Sequence, residues 1–200
     1  TIDVGAAGFA DDAGNNNTAA TQFNWIYDTS APTMTITAAE GADGFTSNDS
    51  TLALTFTSSR ATSNFAVDDI TETNGSLSSF TATSSTVYTA TFTPTADGAV
   101  TIDVGAAGFT DSYGNNNTAA TPFNWTYDTS RPTITITASD GSNAVSDSST
   151  TNDGTLTVTF TSSEATTNFA IDDISVDNGV LSSFAATSST VYTATFTPTV

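Results

Sequence analysis

One feature limits the fold of this chain more than any other: the sequence repeats itself at an interval of about one hundred residues. TIDVGAAGF at 1–9 returns at 101–109, GNNNTAAT at 14–21 returns at 114–121, and FNWIYDTSAPT at 23–33 returns as FNWTYDTSRPT at 123–133. Between 1–32 and 101–132, differences are confined to Ala10, Asp12, Ala13, Gln22, Ile26 and Ala31. TLALTFTSS at 51–59 returns as TLTVTFTSS at 155–163, a step of 155 − 51 = 104. The longer step places an insertion of about four residues between Asp140 and Asp153, where a Ser/Asp/Asn-rich stretch reads as a loop. Such an interval is too long for solenoid or propeller units. It is the size of one β-sandwich domain.

Within one interval, side-chain alternation marks the strands. Thr33–Thr37 points Met34 and Ile36 one way, and Thr51–Thr57 points Leu52, Leu54 and Phe56 inward with threonine outward. Thr86–Pro94 alternates Tyr88, Ala90 and Phe92; Ala99–Val104 alternates Val100, Ile102 and Val104; Pro122–Tyr127 alternates Phe123, Trp125 and Tyr127. Asn64–Thr71 and Ser76–Thr81 are expected as two shorter, less regular strands. Asp43-Gly44, Asn74-Gly75 and Asp97-Gly98 supply turn chemistry between them. No segment has helical periodicity. About seven short antiparallel strands per repeat predict an all-β chain of tandem, immunoglobulin-like antiparallel sandwiches.

The linker-like YDTSAPT and YDTSRPT put domain boundaries near residues 30 and 130. Residues 1–29 then read as the C-terminal strands of a preceding repeat, 30–129 as a complete repeat, and 130–200 as a repeat lacking its last strands. This phase suggests a window on a longer array, or ends that complete one another between molecules.

Composition narrows the setting. Two arginines, Arg60 and Arg131, face 21 acidic residues, giving a net charge of −19. A surface of that sign repels nucleic acid and anionic lipid, and no apolar run approaches the roughly 20 residues of a membrane span. Recurring aromatics argue against disorder as the origin of the acidity. The absence of cysteine and lysine excludes disulfides, thiol chemistry and Lys–Asn isopeptide staples. About a third of the residues are Ser or Thr, and threonine suits a half-exposed strand. A lysine-free, cysteine-free, Thr-rich acidic chain is expected outside a microbial cell, at its surface.

The stretches TFTSSE, F-x-x-DDI, TATFTPTADG and the D-x-x-GN loop together resemble the bacterial Ig-like repeats of very large surface adhesins. The resemblance covers essentially the whole chain. It departs at Arg60, where the family pattern and the second copy (Glu164) carry an acid. It implies spacing, adhesion and biofilm scaffolding, commonly with calcium, and no catalysis.

The residues themselves point away from an enzyme. No His, Cys or Lys is present as a base or nucleophile near neutral pH. Asp68/Asp69 and Asp172/Asp173, read as strand neighbours, point to opposite faces and form no converging dyad. Oxygen donors cluster in the loop at 109–117 (Asp111, Asn115, Asn117) and in its counterpart with Asp11 and Asp12. Calcium takes six to eight such oxygens, although the loop lacks the spacing of an EF-hand and also makes a good turn. Sandwich topology brings the linker aspartates Asp28 and Asp128, the Asp97 turn, and the loop carrying Arg60 or Glu164 toward the joints between repeats. The candidate metal ligands are therefore Asp11, Asp28, Asp97, Asp111, Asn115, Asp128 and Glu164, with calcium stiffening the joints. At the first joint, Arg60 is a candidate to replace the cation.

The leading expectation is a structural spacer or fibre-forming repeat whose partners are neighbouring repeats or other copies. A second possibility is a lectin-like module that binds glycans or cell surfaces. A third is a filament subunit that donates residues 1–29 to a neighbouring molecule.

Overall fold

The computed structural model describes residues 1–199, which form two compact units dividing between Thr129 and Ser130. In the first unit, one sheet holds β1 (Met34–Ala38), β3 (Leu52–Ser58), β5 (Gly75–Ala82) and β6 (Val87–Pro94), in the order β1-β3-β6-β5. The second holds β2 (Phe45–Ser47), β4 (Ile70–Glu72), β7 (Gly98–Val104) and β8 (Phe123–Tyr127), in the order β2-β8-β7-β4. All pairs are antiparallel except β2 with β8. This is an immunoglobulin-like sandwich.

Threonine alternation produces the core directly. Register pairs Leu52 with Phe92 and Phe56 with Tyr88 across β3 and β6, and Val100 with Trp125 and Ile102 with Phe123 across β7 and β8. All eight side chains are buried, as are Met34, Ile36, Phe65 and Phe109. Trp125 stacks on Phe45 with centroids 5.9 Å apart and meets the edge of Phe92 at 6.3 Å. Its indole N–H donates to Ser47 Oγ at 3.1 Å. Gly75 opens β5 because a β-carbon there would come within 2.2 Å of the Phe92 ring.

Two local expectations change. The stretch 64–71 is not one strand: Val67–Asp69 forms a 3-10 turn, with β4 following. Phe65 and Ile70 both face the core although an odd spacing separates them, which an uninterrupted strand forbids. Asp69 therefore does not project as a strand residue; its carboxylate accepts from the Ala66 N–H at 2.8 Å. Within β5, Leu77 and Phe80 pack on the same core because a bulge intervenes between Ser78 and Thr81, with Ser79 at φ +54°.

The second unit repeats the first sheet. It consists of β9 (Ile134–Ser139), β10 (Ala144–Val145), β11 (Leu156–Ser162), β12 (Gly179–Ala186) and β13 (Val191–Pro198), in the order β10-β9-β11-β13-β12. The 3-10 turn and bulge recur at Ile171–Asp173 and Ser182/Ala185. Among the described residues of this unit there is no second sheet, and its core is the small group Phe160, Tyr192 and Ala194 with half-buried neighbours. No helix among the described residues is long and apolar enough to cross a membrane.

Candidate functional site

The 105–122 connection between β7 and β8 is long, and buried polar side chains hold it in shape. Asn117 Oδ1 accepts from the Phe109 N–H at 3.0 Å, while its Nδ2 donates to the carbonyls of Gly105 and Thr118 at 2.8 and 2.9 Å. This amide is a loop staple: both ends are occupied by backbone. Asp111 Oδ1 accepts from the N–H groups of Tyr113 and Asn115, each at 2.9 Å, and Oδ2 accepts from Asn115 Nδ2 at 3.1 Å. The turn chemistry of the D-x-x-GN run is thus satisfied internally.

Arg60 completes the arrangement. It follows β3, and its Nε donates to Asp111 Oδ2 at 2.8 Å while Nη2 forms a short ion pair with Asp28 Oδ2. The Asp111 side chain has no solvent exposure, whereas those of Arg60 and Asp28 are about one quarter exposed (28% and 26%). Asn115 Nδ2 also donates to the Asp28 carbonyl at 3.3 Å. The guanidinium carbon lies 5.7 Å from the Tyr113 ring centroid, within cation–π range. One arginine therefore ties the segment at Asp28 to the loop at Asp111.

Electrostatics follow from these contacts. Burial pushes the Asp111 carboxyl upward, but hydrogen bonds from the Asn115 side chain, the Asn115 and Tyr113 N–H groups, and Arg60 outweigh it and hold the pKa at about 2. The Ser30 N–H and hydroxyl, then Arg60, lower Asp28. Both groups are depressed in the fold, so the stability they contribute is present above the unfolded carboxylate value of about 3.9 and is lost as pH falls. Melting temperatures of the first unit are expected to hold steady down to about pH 4 and to fall between about pH 4 and about pH 2. A melting temperature that stays level across that window would show that the Arg60 network contributes nothing to stability.

The other candidate ligands stand apart. Asp11 repeats the turn of Asp111 around Asn15, but it is exposed. Asp97 accepts from the Thr129 N–H and hydroxyl at 3.0 and 2.7 Å. The Asp128 N–H donates to the Ser47 carbonyl at 3.0 Å. Glu164, at the position of Arg60, is half-buried in the second unit, and its N–H faces Ser162 Oγ at 3.4 Å. Of the seven candidates, Asp28, Asp111 and Asn115 come together, and they do so around a guanidinium. Among the described residues, no group of three or more acidic side chains is placed to hold a metal ion. In the first unit, the carboxylates of Asp28 and Asp111 are paired with the Arg60 guanidinium. The roles of Tyr113, in the long connection, and of Ser47, at the end of β2, had no signal in the sequence.

The model of the family described as "Bacterial Ig-like domain" matches residues 28–127 and again 128–200. No curated protein matches the chain. Among solved structures, an adhesin of Yersinia pseudotuberculosis, InvE, is similar at 17% identity and a TM-score of 0.31, over 82% of this chain. The chain spans about half of that structure (51%).

Proposed function

This chain belongs to the bacterial Ig-like domain family, and from that premise we propose that it is a spacer repeat of a large extracellular microbial surface protein, an adhesin or a filament. The repeat itself carries the reading: two consecutive family matches with nearly identical segments one hundred residues apart. Such an array sets reach by copy number, and its function is mechanical. The strong negative charge keeps neighbouring arrays apart and soluble.

The distribution of chemistry supports this over the alternatives. A lectin-like surface needs exposed aromatic platforms, yet Phe123 and Trp125 are interior in the complete domain. Catalysis at neutral pH needs a base or nucleophile, and the sequence has no His, Cys or Lys. Arg60, by binding both Asp28 and Asp111, braces the start of the repeat against its long loop, as a mechanical role would use. Calcium belongs to the same reading at repeats that carry an acid at that position, as Glu164 does. Carboxylates meeting there without a guanidinium would call for a divalent ion.

Concatenated copies of the sequence, imaged by electron microscopy with calcium and with chelator, test both parts. Contour length is expected to grow linearly by about 3 nm per repeat, the length of seven or eight strand residues plus loops. Particles that become more compact with copy number would refute the spacer. Equal bending in calcium and in chelator would remove calcium and leave the spacer standing.

A further inference from the structure

The sequence contains two basic side chains, Arg60 and Arg131, and no lysine. An endoprotease whose specificity pocket ends in a carboxylate cuts after arginine or lysine, so only two bonds could suit it. Arg131 is followed by Pro132. Proline has no amide hydrogen, and its ring crowds the residue before it, so such an enzyme does not cut there. Arg60–Ala61 is the bond that remains.

The fold closes that bond. A protease takes its substrate as an extended strand, through main-chain hydrogen bonds on both sides of the bond that breaks. In the first unit those groups are occupied. The Ser59 N–H donates to the Thr33 carbonyl at 2.9 Å, and the Arg60 carbonyl accepts from Ser58 Oγ at 2.7 Å. Beyond the bond, the Ala61 carbonyl accepts from the Ser112 N–H at 3.1 Å, and the Thr62 N–H donates to the Ser85 carbonyl at 2.8 Å. The Thr62 carbonyl accepts from the buried Tyr88 hydroxyl at 3.0 Å. The segment is thus tied to the residue before β1, to the β5–β6 turn, to β6 and to the 105–122 loop. Its guanidinium, which would have to enter the specificity pocket, is held by the carboxylates of Asp28 and Asp111. These partners come from well-separated parts of the sequence, so freeing residues 59–62 requires the domain to open.

We propose that Arg60–Ala61 is a latent cleavage site for a trypsin-like endoprotease, closed while the first unit is folded and open once it unfolds. The reaction is hydrolysis: one water is consumed, the Arg60–Ala61 peptide bond breaks, and the products carry a carboxylate on Arg60 and an amine on Ala61. The second unit offers such an enzyme no bond except Arg131–Pro132, so scission reports the state of the first unit alone. Arg60 therefore makes unfolding of this domain irreversible wherever such a protease is present. This inference goes beyond the spacer reading and stands without it.

Digestion of the full chain by trypsin at neutral pH across a urea series, followed by mass spectrometry, tests the proposal. A small arginine amide in the same solutions corrects for the activity of the protease in urea. Two fragments are expected, 1–60 and 61–200. Their rate of appearance should follow the unfolded fraction measured by circular dichroism. In buffer it should lie at least about a thousandfold below the rate for the unfolded chain. Arg60→Gln should leave the chain whole in buffer and in urea alike, a result that does not depend on how well the variant folds. Three results would overturn the proposal: cutting after Arg60 in buffer as fast as in urea, a cut after Arg131, or an unfolded parent chain that stays whole.

Discussion

Trp125→Ala is expected to destabilise residues 30–129 by roughly 3–5 kcal/mol, the range for removing a buried large aromatic, while Trp25→Ala in dilute solution should stay within about 0.5 kcal/mol of the parent chain. The two tryptophans occupy the same place in the repeat, between phenylalanine and tyrosine in FNWxYDTS. Their surroundings differ entirely. Trp125 lies between the sheets against Phe45, Phe92 and Tyr127, with its N–H on Ser47. Its loss removes those contacts and leaves the Ser47 hydroxyl without its indole donor. Trp25 has Tyr27 as a ring neighbour and is otherwise largely in solvent. Urea unfolding followed by circular dichroism measures both effects. A cost below about 1 kcal/mol for Trp125→Ala would mean that the sandwich core is not what holds the domain together.

Much of this architecture is legible in the sequence because threonine alternates with large apolar residues at the strand period. That pattern locates β1, β3, β6, β7 and β8 to within a residue or two and gives their inward faces. It fails where period two is broken. Phe65 and Ile70 share the core through a 3-10 turn, and Leu77 and Phe80 do so through a bulge at Ser79. Both breaks replace a residue's worth of strand by a local backbone conformation, for which no propensity rule supplies the position. The three-residue β2 is invisible for another reason. It is too short to show alternation, and it exists because β8 offers it an edge. In the second unit, the nearest counterpart, Ala144–Val145, instead pairs with β9.

The candidate site was legible as chemistry and not as geometry. Asp11 and Asp111 stand in the same D-x-x-GN context and make the same turn. Only the second is buried, because its loop is folded against a domain that carries Arg60. Asn117 looks like one more oxygen donor in a row of asparagines, and its role as a backbone staple depends on Gly105, twelve residues earlier. The clue that did carry through is a difference between copies: Arg60 opposite Glu164. A single basic residue placed among acids marks where those acids meet.

The substitution Arg60→Glu turns that difference into a measurement. It would place a third carboxylate beside Asp28 and Asp111 and remove the N–H groups that both now accept from. The Asp111 side chain is fully covered, so water cannot take over from the guanidinium. The first-unit melting temperature at pH 7 is expected to fall by roughly 5–10 °C, and Arg60→Lys should fall between, since an ammonium keeps the charge but not the fork that spans two carboxylates. The pH dependence should also change sign. In the parent chain, the Asp111 contribution is lost as pH falls through about 4 toward about 2. In the variant, repulsion raises a folded carboxylate pKa above its unfolded value, so stability is greatest in acid and declines as pH rises through the raised value. Thermal melts from pH 3 to pH 8 distinguish the two curves, and calcium added at pH 7 separates brace from cation. If carboxylates at this position recruit calcium, the ion should restore most of the lost melting temperature in Arg60→Glu and leave the parent unchanged. A variant as stable as the parent at every pH, without calcium, would remove Arg60 as the element that locks Asp28 to the loop.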